Sequence, residues 1–137
     1  MTDRRNSIVL FRILLVLYLI AVAYLCFGSF SGISGLNDKV IGIATDKIMH
    51  FAMFLPFPFL CYFSLKSNPD GPLKAIGMVL AIFLTGCMMS AGTEIIQSRI
   101  PYRTADPMDF LADGISLAVG SLAVFIISMI RGQKEAR

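Results

Sequence analysis

Charged residues are missing from three long stretches of the chain, 13–37, 75–93 and 114–130. Apolar runs of this kind match a bilayer core, which about 20 helical residues cross. A fourth segment, 46–65, opens with Asp46, Lys47 and His50 and is apolar thereafter. The pattern predicts helices over 8–27, 46–65, 73–97 and 108–130, hence an all-α membrane protein with a single domain over 1–137 built as a four-transmembrane-helix bundle. Pro56 and Pro58 fall inside the second helix and predict a kink, because each proline removes an amide donor and frees the carbonyl four residues earlier, those of Ala52 and Phe54. In lipid such carbonyls need partners from neighbouring helices or water. Residues 67–72, SNPDGP, read as a tight turn, with Pro72 suited to the first turn of the next helix. Ala112, Ser116 and Gly120 recur every four residues on the last helix, a small-residue stripe that lets helices approach closely.

Composition agrees with a lipid solvent. Of 137 residues, 56% are hydrophobic and 15% charged, whereas soluble domains carry about a quarter charged residues. The apolar core of the first segment exceeds that of a signal peptide, and Leu25 precedes Cys26 where a lipoprotein signal needs a small residue, so a retained helix is expected. Cys26, Cys61 and Cys87 lie singly in three apolar segments, which fits small packing side chains better than a metal motif or redox pair. The net charge of +3 includes no long basic run, so nucleic acid is not an expected partner. Eight of the 12 basic residues (Arg4, Arg5, Arg12, Lys66, Lys74, Arg131, Lys134, Arg137) flank the predicted termini and the 67–72 turn. The other four, Lys39, Lys47, Arg99 and Arg103, lie towards the opposite face. The positive-inside rule then puts both termini in the cytoplasm.

Candidate chemistry concentrates between the last two apolar runs, in EIIQSRIPYRTADPMDFLAD (94–113). From Leu73 to Glu94 a helix rises about 31 Å, one hydrocarbon thickness. His50 and Asp113 are expected roughly 6–8 Å below the same outer boundary. Asp46 and His50, Glu94 and Gln97, and Asp109 and Asp113 are three or four residues apart, so each pair shares a helix face. Ionisable faces avoid lipid, so they should converge on a polar pocket that opens outward. Helix-end anchoring is the alternative reading of the same residues. If Asp46 and Lys47 cancel, then Glu94, Asp106, Asp109 and Asp113 outweigh Arg99 and Arg103 by two charges. Protonated acids, a protonated His50 or a bound cation could relieve that excess.

The segment DKIMHF at 46–51 with Phe54, then Glu94 and Gln97 as ExxQ, then Arg103, then Asp109 followed by Gly114, resembles the VanZ-like family of small bacterial integral membrane proteins. The resemblance covers about 46–120. Asp113 stands where the family pattern has asparagine, and Ser116 or Leu117 where it has glycine. The resemblance implies a multi-pass protein of the bacterial cytoplasmic membrane, linked by the family name to resistance against the glycopeptide teicoplanin.

Two function classes follow for the pocket. In the first, membrane lipids are the partners, and the pocket binds a lipid headgroup or a cell-wall precursor. Asp46, Lys47, Gln97, Arg99, Arg103 and Asp113 then supply the contacts, with the forked arginine donors suited to phosphate. In the second, a membrane-embedded enzyme uses His50 as general acid or base with Glu94 or Asp109 orienting it, on a lipid-linked ester or phosphate. A metal-assisted form would draw on His50, Glu94, Asp109 and Asp113, although the residues name no particular metal or cofactor. Transport is disfavoured, since no pair of interrupted helices repeats between halves.

Overall fold

The computed structural model describes residues 2–28, 39–40, 43–65, 68–101 and 106–135. Five helices carry the fold: α1 (Thr2–Phe27), α2 (Thr45–Phe54), α3 (Phe57–Phe63), α4 (Pro72–Gln97) and α5 (Pro107–Glu135). Before α2, the two-residue strands β1 (Lys39–Val40) and β2 (Ile43–Ala44) pair antiparallel, Lys39 opposite Ala44. Among the described residues, three helices are long and apolar enough to cross a membrane, within α1, α4 and α5. The predicted second helix is instead two short ones. Two prolines two residues apart remove two amide donors within one turn, so the helix ends at Phe54 and restarts at Phe57 instead of merely bending. At this break the Tyr18 hydroxyl of α1 donates to the Met53 carbonyl at 2.8 Å, supplying a partner from a neighbouring helix.

The central helix is α5, packed against α2, α3 and α4, while α1 lies outside α3 and α4. Its buried stripe runs Asp109, Asp113, Ser116, Leu117, Gly120, Ser121, Val124 and Ser128, at three- and four-residue spacing. Small side chains on this stripe bring neighbouring backbones close. A Cβ on Gly120 would meet the Leu55 carbonyl oxygen at 3.1 Å and Pro58 at 3.0 Å, so glycine seats α5 against the α2–α3 break. Gly86 does the same for α4, where a Cβ would fall 2.5 Å from a methyl of the fully buried Leu117. Outward positions are apolar and exposed, among them Leu17, Leu73, Leu80, Met88, Ile95, Leu122 and Ile126, as expected for sides that meet lipid.

The bundle has two chemically distinct ends. Arg4 of α1, Leu65 after α3, Asn68 and Arg131 of α5 line one cavity of about 500 Å³. Nearby, the Arg131 guanidinium lies over the Phe63 ring at 4.9 Å, and Asn68 donates to the Ser128 carbonyl at 3.0 Å. Gly71, with φ of 91°, closes the predicted turn at the start of α4. The ends of α1 and α4, and the starts of α2 and α5, meet at the opposite end.

Candidate functional site

At that opposite end, α2, α4 and α5 bring their polar faces together. His50 lies one turn after Asp46 on α2, Ser90 one turn before Glu94 on α4, and Asp109 one turn before Asp113 on α5. Asp113 is fully buried and accepts from two sides. The Ser90 hydroxyl donates to Oδ2 at 2.5 Å, and His50 Nδ1 lies 3.2 Å from Oδ1. With both carboxylate oxygens acting as acceptors, the imidazole proton belongs on Nδ1. His50 Nε2 then faces Asp109 Oδ2 at 3.8 Å, beyond hydrogen-bond reach.

Lys47 closes the upper side of this arrangement. Its ammonium contacts Asp106 at 2.6 Å and Asp109 at 3.1 Å. Asp106 is partly exposed, and the Lys47 ammonium, followed by the Met108 backbone amide, holds its carboxyl below the usual carboxylate range. Asp109 is 3% exposed, so Lys47 neutralises a carboxylate that is otherwise nearly out of water. Asp46 is exposed at the rim. Its carboxylate, a His50 ring nitrogen and an Asp109 oxygen all lie within 4.8 Å of one another, a set that could hold a metal ion. The cluster thus has a packed core of His50, Asp109 and Asp113, with Asp46, Lys47 and Asp106 between that core and solvent.

The structure places the residues singled out in the sequence as follows. Asp113 is fully buried and is the carboxylate within hydrogen-bond distance of the His50 ring, with Asp109 farther off at 3.8 Å. Lys47 pairs with Asp106 and Asp109 and not with its neighbour Asp46, because adjacent residues on a helix do not face each other. Gln97 is 4% exposed, and its side-chain amide donates to the Cys26 carbonyl at 3.0 Å, tying α4 to the end of α1. That is a structural tether. Arg99 is exposed just past α4, with no ion pair to Glu94 or Asp109. Arg103 lies outside the described residues. Glu94 is half-buried and interacts electrostatically with His50, Asp109 and Asp113, while its Oε1 is buried without a hydrogen-bond partner among the described residues. Ser90 escaped the sequence reading, although its position four residues before Glu94 puts it on the same face.

Comparison with known proteins bears on the whole bundle. No curated protein and no solved structure matches the chain. A family model described as VanZ/LLP1 matches residues 13–128, from the middle of α1 to near the end of α5, and so takes in every member of the cluster. The chain therefore belongs to the VanZ/LLP1 family of membrane proteins.

Proposed function

We propose that this chain is a four-span protein of the bacterial cytoplasmic membrane, with both termini in the cytoplasm, whose outward polar cluster binds the headgroup of a membrane lipid or lipid-linked envelope component. The observation that carries the reading is the convergence of α2, α4 and α5 on one buried His–Asp core under a rim of both charge signs, Asp46, Lys47 and Asp106. Groups this costly at a helix-bundle end are retained for function more often than for packing. Support for four spans comes from α2, whose Lys47 is at the polar end, and α3, whose Tyr62 and Phe63 line the cavity at the arginine-lined end beside α1. Support for the orientation comes from the sequence, where eight of the 12 basic residues flank the termini and the 67–72 turn, and from Arg4 and Arg131, which line the cavity at that end. Lys47 at the rim and the exposed Arg99 just past α4 suit a phosphate, and Asp46 and Asp106 suit an amine, so a zwitterionic or phosphate-bearing headgroup fits this end of the bundle. Resistance to a teicoplanin-type glycopeptide, which the family resemblance implies, is the cellular phenotype to examine.

Lipid analysis tests the binding. The chain purified in mild detergent should retain one headgroup class at near-stoichiometric level, and Arg99→Ala and Lys47→Ala should lower that level severalfold. Equal lipid content in the wild type and both variants would remove the headgroup reading. Acid–base catalysis is the second reading, favoured by His50, whose Nδ1 is fixed by Asp113 while Nε2 is left facing the rim. Turnover of a lipid-linked ester or phosphate that disappears in His50→Gln would favour it over binding alone.

A further inference from the structure

The two nitrogens of the His50 ring meet different surroundings. Nδ1 is committed to Asp113, which Ser90 holds in turn. Nε2 has no hydrogen-bond partner among the described residues, although the side chain is only 9% exposed. The nitrogen is not among the fully buried polar atoms, so it opens on the rim and is free to take a ligand from that side. That space is bounded by Asp109 and by Asp46, two carboxylates at short range whose repulsion calls for positive charge. Lys47 meets only part of the need, because its ammonium takes Asp109 Oδ1 and Asp106 and leaves Asp109 Oδ2 turned towards the ring.

The geometry points to a binding site for one divalent first-row transition metal ion, held by Asp46, His50 Nε2 and Asp109, with Asp113 and Ser90 positioning the imidazole. A carboxylate on the far ring nitrogen is the usual way a metal-binding histidine is fixed in tautomer and orientation. Here the carboxylate is fully buried and anchored by a serine from another helix, so the ring is held before any ion arrives. Bonds of about 2.0–2.2 Å place ligand atoms about 3.4 Å apart around a tetrahedral ion. His50 Nε2 and Asp109 Oδ2 already lie 3.8 Å apart, a few tenths of an ångström beyond that value, and rotation of the exposed Asp46 carboxylate at the start of α2 brings in the third ligand atom. One imidazole with two carboxylates suits Mn²⁺ or Zn²⁺, whereas Mg²⁺ and Ca²⁺ prefer oxygen ligands alone. Three protein ligands leave positions open on the solvent side. A headgroup phosphate oxygen fits such a position; that last step rests on the proposed headgroup binding, and the metal site does not.

The test uses the full chain in detergent with no added lipid, titrated with MnCl₂ and followed by electron paramagnetic resonance. One Mn²⁺ per chain should bind saturably, with a nitrogen coupling from the histidine in the pulsed spectrum. Asp46→Asn alters an exposed residue and should leave folding intact while weakening Mn²⁺ at least tenfold, and His50→Gln should remove the nitrogen coupling. ZnCl₂ should displace the bound Mn²⁺, and an equal concentration of MgCl₂ should not. Absence of saturable binding, or binding equally tight in Asp46→Asn and His50→Gln, would overturn the site. Because lipid retention is measured on separate samples, loss of the headgroup reading and loss of the metal site are distinguishable results.

Discussion

Replacing Asp113 by asparagine and by leucine separates what its charge does from what its hydrogen bonds do. Leucine is close in size and removes both acceptors, leaving the Ser90 hydroxyl and the His50 Nδ1 proton buried without partners. Two bonds to a charged acceptor at about 1.5–3 kcal/mol each give an upper figure of about 3–6 kcal/mol. Interhelical bonds inside membranes average about 0.6 kcal/mol, which gives a lower figure of about 1 kcal/mol for the pair. Asparagine keeps one acceptor for the His50 proton and turns its amide towards Ser90, whose oxygen can accept, so both contacts survive in neutral form. Its cost should be about half the leucine figure, since the difference between charged and neutral bonds is about 1–1.5 kcal/mol for each of the two contacts. Thermal unfolding in detergent should therefore rank wild type first, Asp113→Asn second and Asp113→Leu last. Asp113→Leu melting together with wild type would refute the relay, and Asp113→Asn melting as low as Asp113→Leu would show that the charge itself is required.

Two further outcomes follow from packing and charge. Gly86→Ala pushes a methyl to within 2.5 Å of Leu117 and should destabilise the bundle by about 1–3 kcal/mol, and the same change should cost less when made in Leu117→Ala, as read from melting curves of the full double-mutant cycle. Asp106 has a folded-state pKa below its unfolded value of about 3.9, held down first by the Lys47 ammonium. Its contribution is thus fully present above that pH and is lost as pH falls through the lower folded value, so the stability gap between wild type and Asp106→Asn should narrow only under strongly acidic conditions.

Much of the site was legible because helical spacing is rigid. Asp46 with His50 and Asp109 with Asp113 each occupy one face, and lipid excludes such faces, so their convergence followed from periodicity alone. Partner choice was not legible. Lys47 joins α2 to α5 across a sequence gap of about 60 residues, and charge counting along the chain pairs it with Asp46 instead. Ser90 sits in an apolar run where a hydroxyl usually bonds its own backbone, as Thr85 does to Ala81 and Thr93 does to Ser90, and only the fold turns it towards Asp113. The prolines announced a disturbance in the second helix without its extent. A kink keeps one helix, whereas removal of two donors two residues apart ended it.

That break bears on the central claim, because a fourth span depends on α2 and α3 crossing together. Single cysteines at Asn37, Asp70 and Tyr102, in a background lacking Cys26, Cys61 and Cys87, report the side of each connection to an impermeant thiol reagent applied to intact cells. Asp70 is fit for this purpose, being 92% exposed in its side chain and distant from the polar cluster. The account predicts labelling at positions 37 and 102 and none at 70 until the membrane is opened. Labelling at 37 and 70 together, with 102 protected, would mean that α2 and α3 enter and leave the same face, and would contradict both the four-span bundle and an outward-facing site.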